Sequence, residues 1–209
     1  MIKKLILVGG GGHCKSVIDV AESNGYAILG ILDTADNIGK KVLDYTIIGT
    51  DDDIIKYVEE VKFIVTVGQV KNVLLRMELH DRIITAGGSL ATLVASSAYV
   101  SKYSSIEAGT VVLHQAMVNA DAVIGKGCII NTYANIEHDA IIGDYTHIST
   151  GSMVNGACKV GSGVFLGSQS VLAQGVCIAD NTIIGAGTFV NKNISDVGIY
   201  AGNPMRKFR

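Results

Sequence analysis

Beginning at Val100, every sixth residue is isoleucine, valine or leucine, and the series runs without a gap or insertion to Val190. Its sixteen members are Val100, Ile106, Val112, Val118, Ile124, Ile130, Ile136, Ile142, Ile148, Val154, Val160, Leu166, Leu172, Ile178, Ile184 and Val190. If about a quarter of positions in an ordinary chain carried one of these residues, chance agreement would be negligible. A period of six is neither the 3.6 of a helix nor the two of a strand. It fits a short strand followed by a corner, with one aliphatic side chain pointing inward per side. Three sides close a triangular coil of eighteen residues, so residues 100–195 make a little over five coils. Stacked at about 4.8 Å per coil, the solenoid is expected to be roughly 25 Å long.

Four residues after each aliphatic the side chain is small or medium: Thr110, Ala116, Ala122, Cys128, Ala134, Ala140, Thr146, Ser152 and Cys158. That position reads as inward too, which makes Cys128 and Cys158 core filler. Cys177 has a different phase. Glycine recurs one residue after the aliphatic at 125, 143, 161, 167 and 185, where a corner is expected to need positive φ or close backbone approach.

Residues 1–95 follow another grammar, and the solenoid with its tail fills 96–209. Leu5-Ile6-Leu7-Val8 reads as a strand, Gly9 to Gly12 as a glycine loop, and Lys15 to Asn24 as a helix with Val17, Ile18 and Ala21 inward. Gly25-Tyr26 ends that helix, and Ala27 to Leu32 is a strand closing on Asp33. This is a βαβ unit with a loop at a helix N-terminus, the usual place to hold phosphate. Phe63 to Val67 predicts a further strand ending at Gly68, and Val70 to Thr85 another helix. The run Gly9-Gly10-Gly11-Gly12-His13 departs from GxGxxG, and the domain is too short for a full dinucleotide fold. It reads as half a site, for a nucleotide rather than NAD, with Asp33 where a ribose or base contact sits. Asp51-Asp52-Asp53 before Ile54 reads as a helix N-terminal cap rather than a metal site.

Composition narrows the function. Seventeen Lys plus Arg against nineteen Asp plus Glu give a formal charge of −2, which excludes the broad basic surface of a nucleic-acid binder. No apolar run approaches the ~20 residues of a membrane span. Behind Lys3-Lys4 the apolar stretch Leu5 to Val8 is too short for a signal peptide, so a cytoplasmic location is expected. Cys14, Cys128, Cys158 and Cys177 show neither a CxxC pair nor zinc spacing and read as free thiols.

Five histidines remain. His80, beside Asp81 and Arg82, reads as part of a solvated helix face, and His13 as loop packing or a ligand contact. His114, His138 and His147 lie in the solenoid and invite a zinc reading. Spacing argues against it: nine residues separate 138 from 147, half a coil, which puts them on opposite parts of the triangle at an expected separation above ~10 Å, whereas zinc ligands lie ~2 Å from the metal. No metal is expected. Across a symmetric interface, however, His138 and His147 could share a site.

The hexads resemble the hexapeptide-repeat acyltransferases. The segments Ile136-Glu137-His138-Asp139-Ala140 and Ile142-Gly143-Asp144-Tyr145-Thr146-His147-Ile148-Ser149 resemble one subfamily, the nucleotide-sugar N-acetyltransferases of the bacillosamine and perosamine type, with sialic acid O-acetyltransferases as near relatives. The resemblance covers the whole chain, including the tail Gly202-Asn203-Pro204-Met205-Arg206-Lys207. It implies a Rossmann-like βαβ α/β domain binding the nucleotide-sugar, an all-β left-handed parallel β-helix that forms a homotrimer, and acetyl-CoA held between neighbouring subunits. The left hand is implied by the resemblance; general crossover rules favour a right-handed one.

Position by position, the resemblance makes His138 the general base that takes a proton from the sugar amine. An imidazole with a pKa near 6.5 suits that task. Asp139 becomes the carboxylate that raises its basicity, with Glu137 as the alternative partner. His147, Gly156, Ser168 and Ala186 match acetyl-CoA contacts; Gly156, one coil after His138, would offer its N–H to the thioester oxygen. Gly11, Gly12, His13, Asp33, Thr34 and Gly68 match the nucleotide-sugar site. Arg206, Lys207 and Arg209 read as a solvated tail, and His114 as structural. Two alternatives stay open: O-acetylation of sialic acid or a related sugar, and a non-catalytic assembly protein on the same solenoid.

Overall fold

The six-residue period is built as two-residue strands separated by four-residue corners. From Tyr99–Val100 to Phe189–Val190 there are sixteen such strands, and the aliphatic of the series is the second residue of each. Strands eighteen residues apart pair in parallel, as in Met117↔Asn135 and Asn135↔Met153. Three sheets result. The first stacks strands from Tyr99–Val100 to Phe189–Val190, the second from Ser105–Ile106 to Cys177–Ile178, and the third from Val111–Val112 to Ile183–Ile184. The third continues through Ile199–Ala201, which Arg206–Lys207 joins in an antiparallel turn-back.

From Val112 to Val190 every aliphatic of the series is buried; only Val100 and Ile106, in the first coil, are half-exposed. Each buried one contributes about 1.5–3 kcal/mol. The second inward position is buried as well, and a polar residue there can bond across the corner: Thr110 Oγ1 donates to the Gly125 carbonyl at 2.8 Å and accepts from Cys128 N–H at 2.9 Å. Cys128 and Cys158 are buried free thiols.

The glycines after each aliphatic serve close approach alone, because positive φ falls two residues further on. There φ lies between 53° and 75° at fourteen successive corners, from Gly109 to Gly187, and the residues include Gln115, Asp121, Tyr133, Asp139, Ala157 and Asn181. At Gly161 an added Cβ would stand 2.6 Å from the Asp180 backbone nitrogen. The two devices are distinct: a left-handed residue turns the corner, and a missing Cβ lets the next coil close on it.

The structure, a computed structural model, describes residues 3–70 and 73–208. The chain divides into two compact units, Met1–Ser96 and Ser97–Arg209. In the first, β1 (Lys4–Val8), α1 (Gly12–Ser23), β2 (Ala27–Leu32), β3 (Lys41–Val42), β4 (Tyr45–Gly49), β5 (Lys62–Val65), α2 (Leu74–Thr85) and β6 (Ser89–Leu90) form a sheet of order β3-β4-β2-β1-β5-β6 with its helices. All pairings are parallel except β3 with β4. Ile6, Val8, Phe63 and Val65 pack on one face with Ile54, Leu79 and Ile83. Strand alternation turns Leu5 and Leu7 to the other face, and α1 buries Cys14, Val17, Ile18, Val20 and Ala21.

Helix α1 starts three residues earlier than its apolar pattern predicts, and α2 begins at Leu74 rather than 70; Lys71 and Asn72 of that expected helix, like Arg209 of the tail, lie outside the described residues. His80 is a correction. It is 1% exposed, because the inward stripe of α2 is Arg76, Leu79, His80 and Ile83, spaced as one helix face. The aspartates before Ile54 open a 3-10 helix, Asp51–Lys56, where Thr50 and Asp53 form a capping box. Among the described residues, no helix is long and apolar enough to cross a membrane.

Candidate active site

The candidate residues of the solenoid fall on two corners. His138 follows the strand Asn135–Ile136 of the first sheet and stands at the corner leading to the second. Asp139 is the left-handed residue of that corner, with φ 60°, and its carboxylate meets His138 Nδ1 at 2.7 Å. A carboxylate only accepts, so Nδ1 carries the proton and Nε2 presents its lone pair. The same bond pushes the His138 pKa up, with some opposition from desolvation. Glu137 is turned elsewhere: Asn119 Nδ2 and Asn135 Nδ2 donate to it at 2.8 and 3.0 Å and hold its pKa down.

Gly156 lies one coil beyond His138 and forms the wall behind the imidazole. A Cβ there would sit 2.8 Å from Cε1 and 2.9 Å from Nε2, so glycine alone lets the ring lie in this orientation.

His147 opens a strand of the third sheet and is 7% exposed. Asn131, which the sequence reading missed, lies 3.0 Å from its Nε2 through Nδ2. The Asn131 oxygen accepts from Thr132 N–H at 2.8 Å, which orients the amide so that Nε2 is the acceptor. Phe165 meets the ring edge-on at 5.2 Å. Ser168 and Ala186 stack one coil apart at the corner from the third sheet back to the first, and Ser168 shares a 3.0 Å hydrogen bond with Ser149. His138, Asp139 and Gly156 thus form one group, and His147, Ser168 and Ala186 border another corner. His114 is bonded to Ser97 at 2.7 Å. Among the described residues, no three His, Cys, Asp or Glu side chains are placed to hold a metal ion.

In the N-terminal unit the six candidates gather at the C-terminal edge of β1, β2 and β5, where an α/β sheet of this order reverses direction. Gly11 and Gly12 open α1, and a Cβ at either would meet nothing within 4 Å. His13 is in the first turn, with Gly68 facing it. Asp33 is more committed than expected. Its oxygens accept from Gly10 N–H (3.1 Å), Thr34 N–H (2.8 Å) and Asn37 Nδ2 (3.2 Å), so it holds the glycine loop in shape.

The PglD N-terminal domain family matches residues 4–83, and the bacterial transferase hexapeptide family (six repeats) matches 121–156 and 157–192. The fold also superposes on solved structures over its whole length. One is a histidine-to-alanine mutant of GDP-perosamine N-acetyl transferase from Caulobacter crescentus, in complex with CoA and GDP-perosamine: 30% identity, TM-score 0.93, covering 100% of this chain and 98% of that one. The chain belongs to the hexapeptide-repeat acyltransferases, beside the nucleotide-sugar N-acetyltransferases. The acetyltransferase domain of PglB from Neisseria gonorrhoeae, in complex with acetyl coenzyme A, is 28% identical with a TM-score of 0.91 and full coverage of both chains. WeeI from Acinetobacter baumannii shares the fold of this acyltransferase at 19% identity and TM-score 0.88, covering 99% and 100%. No curated protein sequence matches the chain. The solenoid of this acyltransferase is accordingly the left-handed parallel β-helix that the resemblance implied.

Proposed function

We propose that the protein is a cytoplasmic enzyme that acetylates the amino group of a nucleotide-linked amino sugar, with His138 as general base. The observation that carries this reading is the His138–Asp139 pair set against Gly156. Its imidazole has the proton fixed on Nδ1 and a lone pair on Nε2 at a half-exposed corner. Acetyl-CoA supplies the activated acyl group. His138 Nε2 takes a proton from the amine as nitrogen bonds to the carbonyl carbon. Asp139 steadies the imidazolium, and His138 returns the proton to the departing sulfur as the C–S bond breaks. The cycle leaves an amide and a free thiol, with no acyl-enzyme. Gly156 suits a donor position beside the base, since a side chain there would occupy the space of the ring.

The glycine loop at the N-terminus of α1, kept in shape by Asp33, supports a phosphate-bearing acceptor. That favours a nucleotide-linked sugar over free sialic acid.

The reading includes a homotrimer. The first sheet turns Tyr99, Met153 and Phe189 outward, 60%, 39% and 40% exposed, and the second does the same with Val123 and Ile141. These apolar rows flank the corner that carries His138. A neighbour seated there would bury them and bring its own His147 and Ser168 corner toward that base.

The test is thiol release from acetyl-CoA with a panel of UDP-, GDP- and dTDP-linked amino sugars, and native mass spectrometry for the trimer. Transfer to an amino sugar but not to its hydroxyl counterpart is expected. Turnover with the hydroxyl sugar alone would replace this reading with O-acetylation, and hydrolysis and transfer both absent would leave a binding protein.

A further inference from the structure

Arg76 is among the most deeply buried side chains of the chain, 1% exposed on α2. Its Nη1 donates to two carbonyls, Val65 at 2.8 Å and Val67 at 2.9 Å. Those acceptors flank Thr66, the residue that ties β5 to the glycine loop. Thr66 N–H donates to the Val8 carbonyl at 2.8 Å, and its hydroxyl reaches the carbonyls of Val8 and Gly9. Next along, the Val67 side chain fills the space above Gly9, where an added Cβ would come within 2.6 Å of it. An unbroken line of contacts therefore runs from the guanidinium to the glycine loop.

Taking a guanidinium out of water costs several kcal/mol before its bonds offset it. A methionine would fill the same helix position without that cost, so space-filling is a poor account of an arginine here. One guanidinium nitrogen, Nη1, reaches both carbonyls from the planar end of a long side chain and so ties Val65 and Val67 to a single point.

We propose that Arg76 is a positioning residue for the nucleotide diphosphate: it clamps Val65 to Val67 from behind and so sets the glycine loop that receives the phosphates. The proposal rests on the reading of this unit as a nucleotide-sugar site. Arg76 itself touches no substrate in this scheme.

The experiment compares full-length wild type, Arg76→Met and Arg76→Lys by calorimetric titration with UDP, GDP, dTDP and coenzyme A, with amide exchange of residues 66–68 as a second readout. Arg76→Met is expected to weaken the preferred nucleoside diphosphate at least about tenfold, the size expected if the displaced glycine loop loses one hydrogen bond to phosphate. Coenzyme A affinity should stay within about twofold, exchange at 66–68 should quicken, and Arg76→Lys should fall between. Unchanged nucleotide affinity in a folded Arg76→Met protein, or equal loss of both ligands, overturns the proposal. Insolubility of both variants also overturns it, by placing Arg76 with the folding core. If wild type itself binds no nucleoside diphosphate, the nucleotide reading has failed and takes this proposal with it; variant results alone cannot produce that outcome.

Discussion

The two units solve the same problem, burying a core and presenting a few polar groups, by opposite means. In the solenoid each structural role recurs every six residues. Ile130, Ile148 and Leu166 do the same job on successive coils, and so do the left-handed corners at 133, 151 and 169. In the N-terminal unit each role is filled once: one Thr66 between β1 and β5, one Asp33 under Gly10, one Arg76 behind both. Redundancy makes the solenoid rigid and lets function appear as departure from the repeat. His138 and Gly156 stand out as a pair, because a Cβ at 156 would meet the imidazole of the preceding coil. Where every position is unique, no such background exists.

The largest effect that would break this comparison is at the proposed base. His138→Ala should lower kcat by roughly 10²–10⁴-fold, the range of general-base catalysis, while coenzyme A affinity and melting temperature barely move. Comparable turnover in a folded variant would remove His138 from the role. A core residue should show the reverse. Ile148 is fully buried, so Ile148→Ala should cost about 2–5 kcal/mol of stability, read from denaturant midpoints. Recovery of that loss by the flanking coils would mean the repeats are less tightly coupled than stacked sheets require.

Glycines sharpen the contrast. Gly161→Ala puts a Cβ against the backbone of the next coil and should cost about 1–3 kcal/mol. Gly11→Ala meets open space and should change stability by about 0.5 kcal/mol or less, yet weaken nucleotide binding. Equal stability losses at both would show that the glycine loop is a packing device, not a ligand cradle.

The solenoid's period was legible because one aliphatic per six residues cannot be satisfied by a helix or a flat strand. Its corners were read two residues out of place, since glycine marks both close approach and positive φ, and eight of the fourteen left-handed corners are not glycine. In the N-terminal unit, β1, the glycine loop and β2 were visible from an apolar run and its punctuation. The two-residue strands β3 and β6 carry no comparable signal, and β4, Tyr45–Gly49, has a shorter apolar run than β1. His80 was misread because its neighbours Asp81 and Arg82 are polar; only the spacing with Arg76 and Ile83 reveals an inward face, and an arginine on that stripe hides it. Asn131 escaped because its link to His147 spans nearly a full coil, which no local motif records.

Titration offers a finer test of the corner. Asp139 stabilises protonated His138, so its loss lowers the imidazole pKa, and the base stays neutral to lower pH. In Asp139→Asn the acid limb of kcat/KM should shift to lower pH, while the plateau drops about tenfold with the weaker, partly exposed bond. A limb that stays in place would assign it to another group. The smallest effect is at the thiols. Burial pushes the Cys14 pKa up to about 11 and raises Cys158 as well, and Cys128 is also buried. The thiolate is the reactive form, so iodoacetamide at pH 7.5 should label the folded protein once, at half-exposed Cys177, by mass spectrometry. Labelling of Cys14 would mean that the single-copy contacts of the N-terminal unit open more readily than the repeated ones. Cys177 lies in the outward row of the second sheet with Val123 and Ile141, so under the proposed trimer its labelling should be slowed, and the rate of an uncovered thiol would count against a neighbour seated on that row.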